Sequence, residues 1–106
     1  MDDEWVAVAQ CADIDEDDTH AVRVDGREVC LYNVAGAFFA TDNKCTHGDA
    51  DLSDGLIQDG HLIECPLHEG TFDIRSGRAM SAPCTEAIRC HDLRVQDGVI
   101  YLRVAS

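Results

Sequence analysis

Apolar residues along this chain come in short runs that alternate with polar positions, and the runs are separated by tight-turn dipeptides. Asp25-Gly26, Asp59-Gly60 and Asp97-Gly98 each lie between two such runs. Asp-Gly is a strong short-range signal for a hairpin, because a primed two-residue turn requires positive φ at both positions. The pattern predicts strands over residues 5–9, 19–24, 27–34, 37–42, 56–58, 61–64, 71–74, 88–95 and 99–104. No segment keeps a helical period, so the expected fold class is all-β. The last strand, Val99-Ile100-Tyr101-Leu102-Arg103-Val104, is expected to return against a neighbouring terminal strand and close a base sheet.

Length and composition narrow this further. At 106 residues the chain is one domain, near the size at which a single core suffices without disulfides. There are no internal repeats and no linker rich in Pro, Gly or Ser, and residues 13–18 form an acidic loop. No apolar run approaches the length of a membrane span. Met1-Asp2-Asp3-Glu4 lacks the positive charge and apolar stretch of a signal peptide, so a cytoplasmic protein with no membrane partner is expected. Six cysteines would suggest three disulfides only in a small secreted chain. Cys11, Cys30, Cys84 and Cys90 are therefore expected to be free thiols, packed in or flanking strands.

The other two cysteines belong to a more specific pattern. Cys45-Thr46-His47 and Cys65-Pro66-Leu67-His68 form a C-x-H … C-x-x-H constellation with seventeen residues between its halves. Two Cys and two His at short spacing suit a tetrahedral zinc ion. They also suit a [2Fe-2S] cluster in which two imidazoles on one iron replace two thiolates. Zinc sites more often pair like with like, as C-x2-4-C or H-x3-5-H. One Cys and one His in each segment fits a cluster with two chemically different irons better, though spacing alone leaves both readings open.

The match continues through His68-x-Gly70-x-Phe72-Asp73, then Gly77-x-Ala79 and Pro83, and this run resembles the cluster-binding lobe of Rieske ferredoxins. Ala40-Thr41-Asp42-Asn43 upstream and Leu52-Ser53-Asp54-Gly55 downstream resemble the small ferredoxins of bacterial aromatic-ring dioxygenase systems. The resemblance covers most of the chain and is dense between positions 38 and 83. It implies a Rieske fold: an antiparallel β base, about residues 1–42 and 84–106, with a small cluster-binding lobe at about 43–83. It implies one [2Fe-2S] cluster, with Cys45 and Cys65 on the inner iron as thiolates and His47 and His68 on the outer iron as neutral imidazoles. Such a centre is formally neutral when oxidised and carries one negative charge when reduced, a modest electrostatic cost for one electron.

The resemblance also gives meaning to neighbouring positions. Gly48 and Gly70 lie just beyond the ligands, where a missing side chain permits close backbone approach or positive φ, or where they are plain turn glycines. Pro66 shapes the second ligand loop by fixing φ. Pro83 resembles a residue of a third loop covering the cluster, although a turn proline is the alternative. High-potential Rieske proteins carry an extra disulfide-forming cysteine in each loop, where this chain has Ala50 and Leu67. They also carry a Ser and a Tyr whose hydroxyls bond to sulfur, where this chain has Gly70 and Phe72. Fewer hydrogen bonds to sulfur, together with nearby carboxylates, favour the oxidised state. A potential of about −150 mV to zero is expected. His20, His61 and His91 read as surface or strand residues, and Trp5 and Tyr101 as packing groups of the base.

Charge bears on partners. The net charge is −13, and it is unevenly spread. Residues 1–20 hold eight acids and no Lys or Arg; residues 42–73 hold eight acids against Lys44 alone. That pattern argues against nucleic acid, which needs a basic footprint. Asp49, Asp51, Asp54 and Glu69, beside the ligand segments, either steer basic redox partners or simply solubilise the surface. No activated nucleophile, open metal position, Gly-rich nucleotide loop or 2-His-1-carboxylate site is recognisable, so no catalytic residue and no enzyme activity is expected. The resemblance implies a monomeric electron carrier between a flavoprotein NAD(P)H-dependent ferredoxin reductase and a terminal aromatic-ring-hydroxylating oxygenase. The alternatives are a Rieske-like small subunit of a nitrite-reductase-type enzyme, a structural zinc-binding interaction module, and a redox sensor.

Overall fold

The computed structural model describes residues 5–46, 48–67, 70–82 and 84–103. Among these residues there are ten strands, β1 (Val6–Gln10), β2 (Asp18–Val24), β3 (Arg27–Val34), β4 (Ala37–Asp42), β5 (Leu56–Gln58), β6 (Leu62–Glu64), β7 (Thr71–Asp73), β8 (Ala79–Ser81), β9 (Asp92–Gln96) and β10 (Val99–Arg103). The helical residues described are two single 3-10 turns, Cys11–Asp13 and Leu52–Asp54. No helix among them is long and apolar enough to cross a membrane.

Every strand pair is antiparallel, and the strands form three sheets ordered β1-β10-β9, β2-β3-β4 and β5-β6-β7-β8. The terminal pairing expected for the last strand is present as β10 against both β1 and β9. Asp25-Gly26 and Asp97-Gly98 close two-residue hairpins with φ of 52° and 79°, and of 53° and 78°. Their positive φ values match the primed turns whose twist suits paired strands. Ala35-Gly36, which carries no Asx signal, makes the same kind of turn with φ of 51° and 93° between β3 and β4. Buried Asn33 supports it, accepting the Gly36 N–H at 2.8 Å and donating to the Ile14 carbonyl at 2.8 Å.

β3 separates two cores. Its residues 29–33 are all buried, and alternation along a strand sends successive side chains to opposite faces. Val29 and Leu31 pack with Ile14, Val24, Ala40, Ile100 and Leu102, where β2-β3-β4 meets the sheet β1-β10-β9. Cys30 and Tyr32 pack instead with Leu52, Ile63, Phe72 and Ile74, under the sheet β5-β6-β7-β8. The second core is the one that holds Cys45 and Cys65.

Most predicted strands are present with ends moved by a residue or so, and two differences are larger. The strand expected over 88–95 begins only at Asp92, because residues 89–91 run beside β4. There Asp42 N–H bonds the Arg89 carbonyl at 2.8 Å, His91 N–H bonds the Ala40 carbonyl at 3.0 Å, and Cys90 bridges Thr41. His61 belongs to the turn before β6, and β8 was not expected at all. His91 also differs from the surface or strand residue anticipated. Its side chain is fully buried, with Nε2 2.7 Å from Asp42 Oδ1, as a buried polar ring requires a partner. Trp5 packs against β9 and β10, where the Arg94 and Arg103 guanidinium carbons lie 4.7 and 4.9 Å from its ring centroid.

Candidate metal centre

Two hairpin loops of equal length present the cysteines of the constellation. The bridge Lys44↔Asp51 closes the first, and the β6–β7 pair Glu64↔Thr71 closes the second. Within each, the cysteine N–H reaches the carbonyl five residues on: Cys45 to Ala50 at 2.9 Å and Cys65 to Gly70 at 2.8 Å. Both cysteines are buried, with Cys45 4% and Cys65 1% exposed, while neighbouring Thr46, Asp49, Pro66 and Leu67 are exposed. The chain thus turns one thiol of each loop into the same core and leaves the loop surfaces in water. His47 and His68 lie within these loops by sequence but outside the described residues, as do Glu69 and Pro83.

Each loop is tied down by side chains the constellation does not include. Asn43 is buried; its Oδ1 accepts the Ser53 N–H at 2.9 Å and its carbonyl accepts the Leu52 N–H at 2.6 Å. Thr46 Oγ1 donates to the Glu86 carbonyl at 2.8 Å, joining the first loop to the segment after residue 83. On the second loop, Ser81 Oγ of β8 lies 2.7 Å from Thr71 Oγ1 and accepts the Thr71 N–H at 3.1 Å.

Cys84 was read from sequence as one more free thiol beside a strand, but it is part of this site. It is 4% exposed and lies in the same buried core as Cys45 and Cys65. Burial and then these two neighbours push its thiol up to about 12. The signal that pointed towards it was its place directly after Pro83. Gly70 proves to be a close-approach glycine: a Cβ there would overlap Cys84 Sγ and stand 3.0 Å from the Cys84 nitrogen. Cys30 belongs to core packing, its thiol pushed up to about 12 by burial. None of the six cysteines is in a disulfide.

Between the loops lies a groove of about 300 Å³ lined by Asp49, Ala50, Asp51, Asp54, Pro66 and Leu67. Asp49 already has a partner, Lys44, whose Nζ is 2.7 Å away; the ammonium holds the carboxyl below its usual range. Asp51 and Asp54 are exposed at the same rim.

Among the described residues no group of three or more His, Cys, Asp or Glu side chains converges into a self-sufficient metal site. What is described fits a Rieske cluster: two buried thiols with no disulfide between them, offered by matched loops from one side.

Residues 4–92 match the Rieske [2Fe-2S] domain family. The chain is 41% identical over 104 residues to the ferredoxin component of the naphthalene 1,2-dioxygenase/salicylate 5-hydroxylase systems of a Ralstonia species, covering 98% of this chain and 99% of that protein. Its fold is similar to the ferredoxin of carbazole 1,9a-dioxygenase from Nocardioides aromaticivorans IC177, with a TM-score of 0.91 and 32% identity over 95% of this chain and 98% of that one. A second carbazole 1,9a-dioxygenase ferredoxin, solved as a complex of reduced oxygenase and oxidised ferredoxin, gives a TM-score of 0.88 and 35% identity over 95% and 94% of the two chains. These relatives are electron-transfer components and not catalysts themselves. The chain belongs to the Rieske [2Fe-2S] domain family, as a ferredoxin that carries one such cluster.

Proposed function

We propose that the protein is a one-electron carrier of an aromatic-ring dioxygenase system, passing electrons from an NAD(P)H-dependent flavoprotein ferredoxin reductase to a terminal oxygenase. Cys45, His47, Cys65 and His68 are its cluster ligands in this reading. The observation that carries it is the pair of matched loops, each closed from cysteine N–H to the carbonyl five residues on, with both thiols buried in one core. The cluster supplies reversible one-electron chemistry when bound. The chain's own residues do the rest. Cys45 and Cys65 sit in a core with Phe72, Leu52 and Ile63, which keeps water from the inner side. The histidines follow Thr46 and Leu67, which are both exposed, and this suits them to the contact with a partner. The acidic rim formed by Asp51 and Asp54, with Leu67 53% exposed beside it, suits a partner surface that is basic around an apolar centre.

The same proposal divides the chain into a base of about residues 1–42 and 84–106 and a lobe of about 43–83. It takes the protein as a cytoplasmic monomer with neither nucleic acid nor membrane as partner. Electron paramagnetic resonance of anaerobically purified, dithionite-reduced protein tests it, alongside iron and zinc analysis. A rhombic signal with average g below the free-electron value and two irons per chain supports the carrier. Silent protein with one zinc per chain overturns it in favour of a structural module.

Phe72 offers a second test. It is fully buried in the same core as Cys45 and Cys65 and has no hydroxyl to give. Phe72→Tyr is expected to raise the potential by tens of millivolts, since a hydrogen bond of about 1 kcal/mol favouring one state is worth roughly 40 mV for one electron. An unchanged potential, with the new hydroxyl seen bonded to sulfur, would refute the account.

A further inference from the structure

We propose that the electron-accepting partner seats along the flank of the second ligand loop, from Leu67 to Leu56 on β5, with cationic side chains set around an apolar contact. This rests on the reading of the protein as a one-electron carrier, and it extends the contact beyond the loop ends that carry the histidines. The groove between the loops has a neighbour of about 230 Å³, lined by Asp54, Gly55, Leu56, Glu64, Cys65 and Pro66. Asp54 and Pro66 are walls of both, so the two hollows adjoin along one side of the loop.

Each hollow keeps a large apolar side chain in water: Leu67 is 53% exposed and Leu56 67%. Scattered single apolar residues are ordinary on a surface, but these two stand on adjoining concave surfaces with exposed Pro66 common to both. The charged side chains around them are of one sign. Asp49, Asp51, Asp54 and Glu64 line the hollows, and among the described residues no Lys or Arg does. Lys44 pairs with Asp49, and Glu64 accepts the Gln58 amide at 2.8 Å. Among the described residues no Lys or Arg pairs with Asp51 or Asp54. Leu56 stands directly opposite Glu64 in the β5–β6 pair, which puts leucine and acid on one face of the sheet. Because Cys65 forms part of the wall, a partner seated here touches a residue read as a ligand.

An apolar strip within an acidic border complements an apolar centre within cations. The charge of the centre then selects between donor and acceptor. Reduction adds one negative charge, so a cationic surface is held more tightly before the electron leaves than after. An acceptor needs that preference, since it must capture the reduced carrier and release the oxidised one. A donor needs the reverse.

Leu56→Lys and Met80→Lys carry the test. Both residues are exposed, at 67% and 48%, on the two edge strands β5 and β8 of one sheet, and each substitution adds the same single charge. Reduced holoprotein, freed of excess dithionite, is mixed by stopped flow with ferric cytochrome c, a basic protein whose haem iron takes one electron and becomes ferrous. Leu56→Lys is expected to slow the transfer about tenfold at low salt and Met80→Lys about twofold at most, the gap closing as salt is raised. Both are expected to keep the wild-type potential, which excludes driving force as the cause. Asp54→Asn with Glu64→Gln is expected to slow the transfer several-fold, and Asp15→Asn with Glu16→Gln, on the exposed loop 13–18, to leave it near the wild type. If Leu56→Lys fails to fold, the comparison of these two pairs decides. Equal slowing by Leu56→Lys and Met80→Lys, or by the two pairs, would leave net charge as the sole cause and overturn the proposal. An unslowed Leu56→Lys with its cluster intact would confine the contact to the loop ends and overturn it as well. Wild-type protein without the rhombic signal would instead remove the carrier reading itself.

Discussion

Cys65→Ala is expected to yield a folded, colourless protein with no bound cluster, and Cys45→Ala the same. The side chains sit in an apolar core, at 1% and 4% exposure, so alanine is tolerated there as a small residue. The hydrogen bonds that shape the loops come from backbone groups, Cys45 N–H to Ala50 and Cys65 N–H to Gly70, and alanine keeps them. What disappears is one of two thiolates, and with it the capacity to hold the inner iron, since metal binding needs the full ligand set. Cys30→Ala is the control. Cys30 is fully buried in the same core and its loss costs packing, about 1 kcal/mol for each missing methyl-sized group, but it is expected to retain the iron. Iron per chain and visible absorbance separate the two cases. Two irons retained in Cys65→Ala would remove that residue from the site, whatever happened to stability.

The candidate pairs Cys45/His47 and Cys65/His68 stand out in the sequence because their signal is local: each cysteine lies within three residues of its histidine. The Asp-Gly hairpins were legible for the same reason, the turn chemistry residing in the two turn residues themselves. Ala35-Gly36 was not. An alanine resists the left-handed region, and the support for this turn comes from Asn33, which also reaches back to Ile14 across nineteen residues of sequence. The run Val29-Cys30-Leu31-Tyr32 announced a strand, but only the three-dimensional arrangement shows that its alternate residues serve different cores. His91 escaped because its partner, Asp42, is forty-nine positions away. Cys84 escaped for a related reason. Its environment is assembled from Cys45, Cys65 and Gly70, three positions on two separate loops, and nothing adjacent to it except Pro83 hinted at the site. Local chemistry reads directly from the chain; the identity of a third thiol at the centre depends on which loops the fold brings together.

That dependence makes Gly70→Ala an informative perturbation. Gly70 is buried, and the overlap of its added methyl would be with Cys84 Sγ, followed by the Cys84 nitrogen at 3.0 Å and Cβ at 3.2 Å. The sulfur is the end of a short side chain, but the nitrogen is backbone and is held by the Ser81 carbonyl. Relief therefore requires the segment after residue 83 to move away from the second loop. Overpacking of this kind costs about 1–3 kcal/mol. That segment is tied to the first loop through Thr46 and the Glu86 carbonyl, so its movement disturbs both loops and cluster content should fall along with stability. Combining Gly70→Ala with Cys84→Ala removes the sulfur overlap and leaves the milder contacts with the backbone nitrogen and Cβ of residue 84. The pair is accordingly expected to be more stable than Gly70→Ala alone, with a coupling between the two sites of about 0.5–3 kcal/mol. Urea unfolding of the four proteins in the cycle, with iron content measured on each, decides the matter. Additive effects would mean that Gly70 and Cys84 do not compete for the same space, and the tight fit between the second loop and the third sulfur would have to be abandoned.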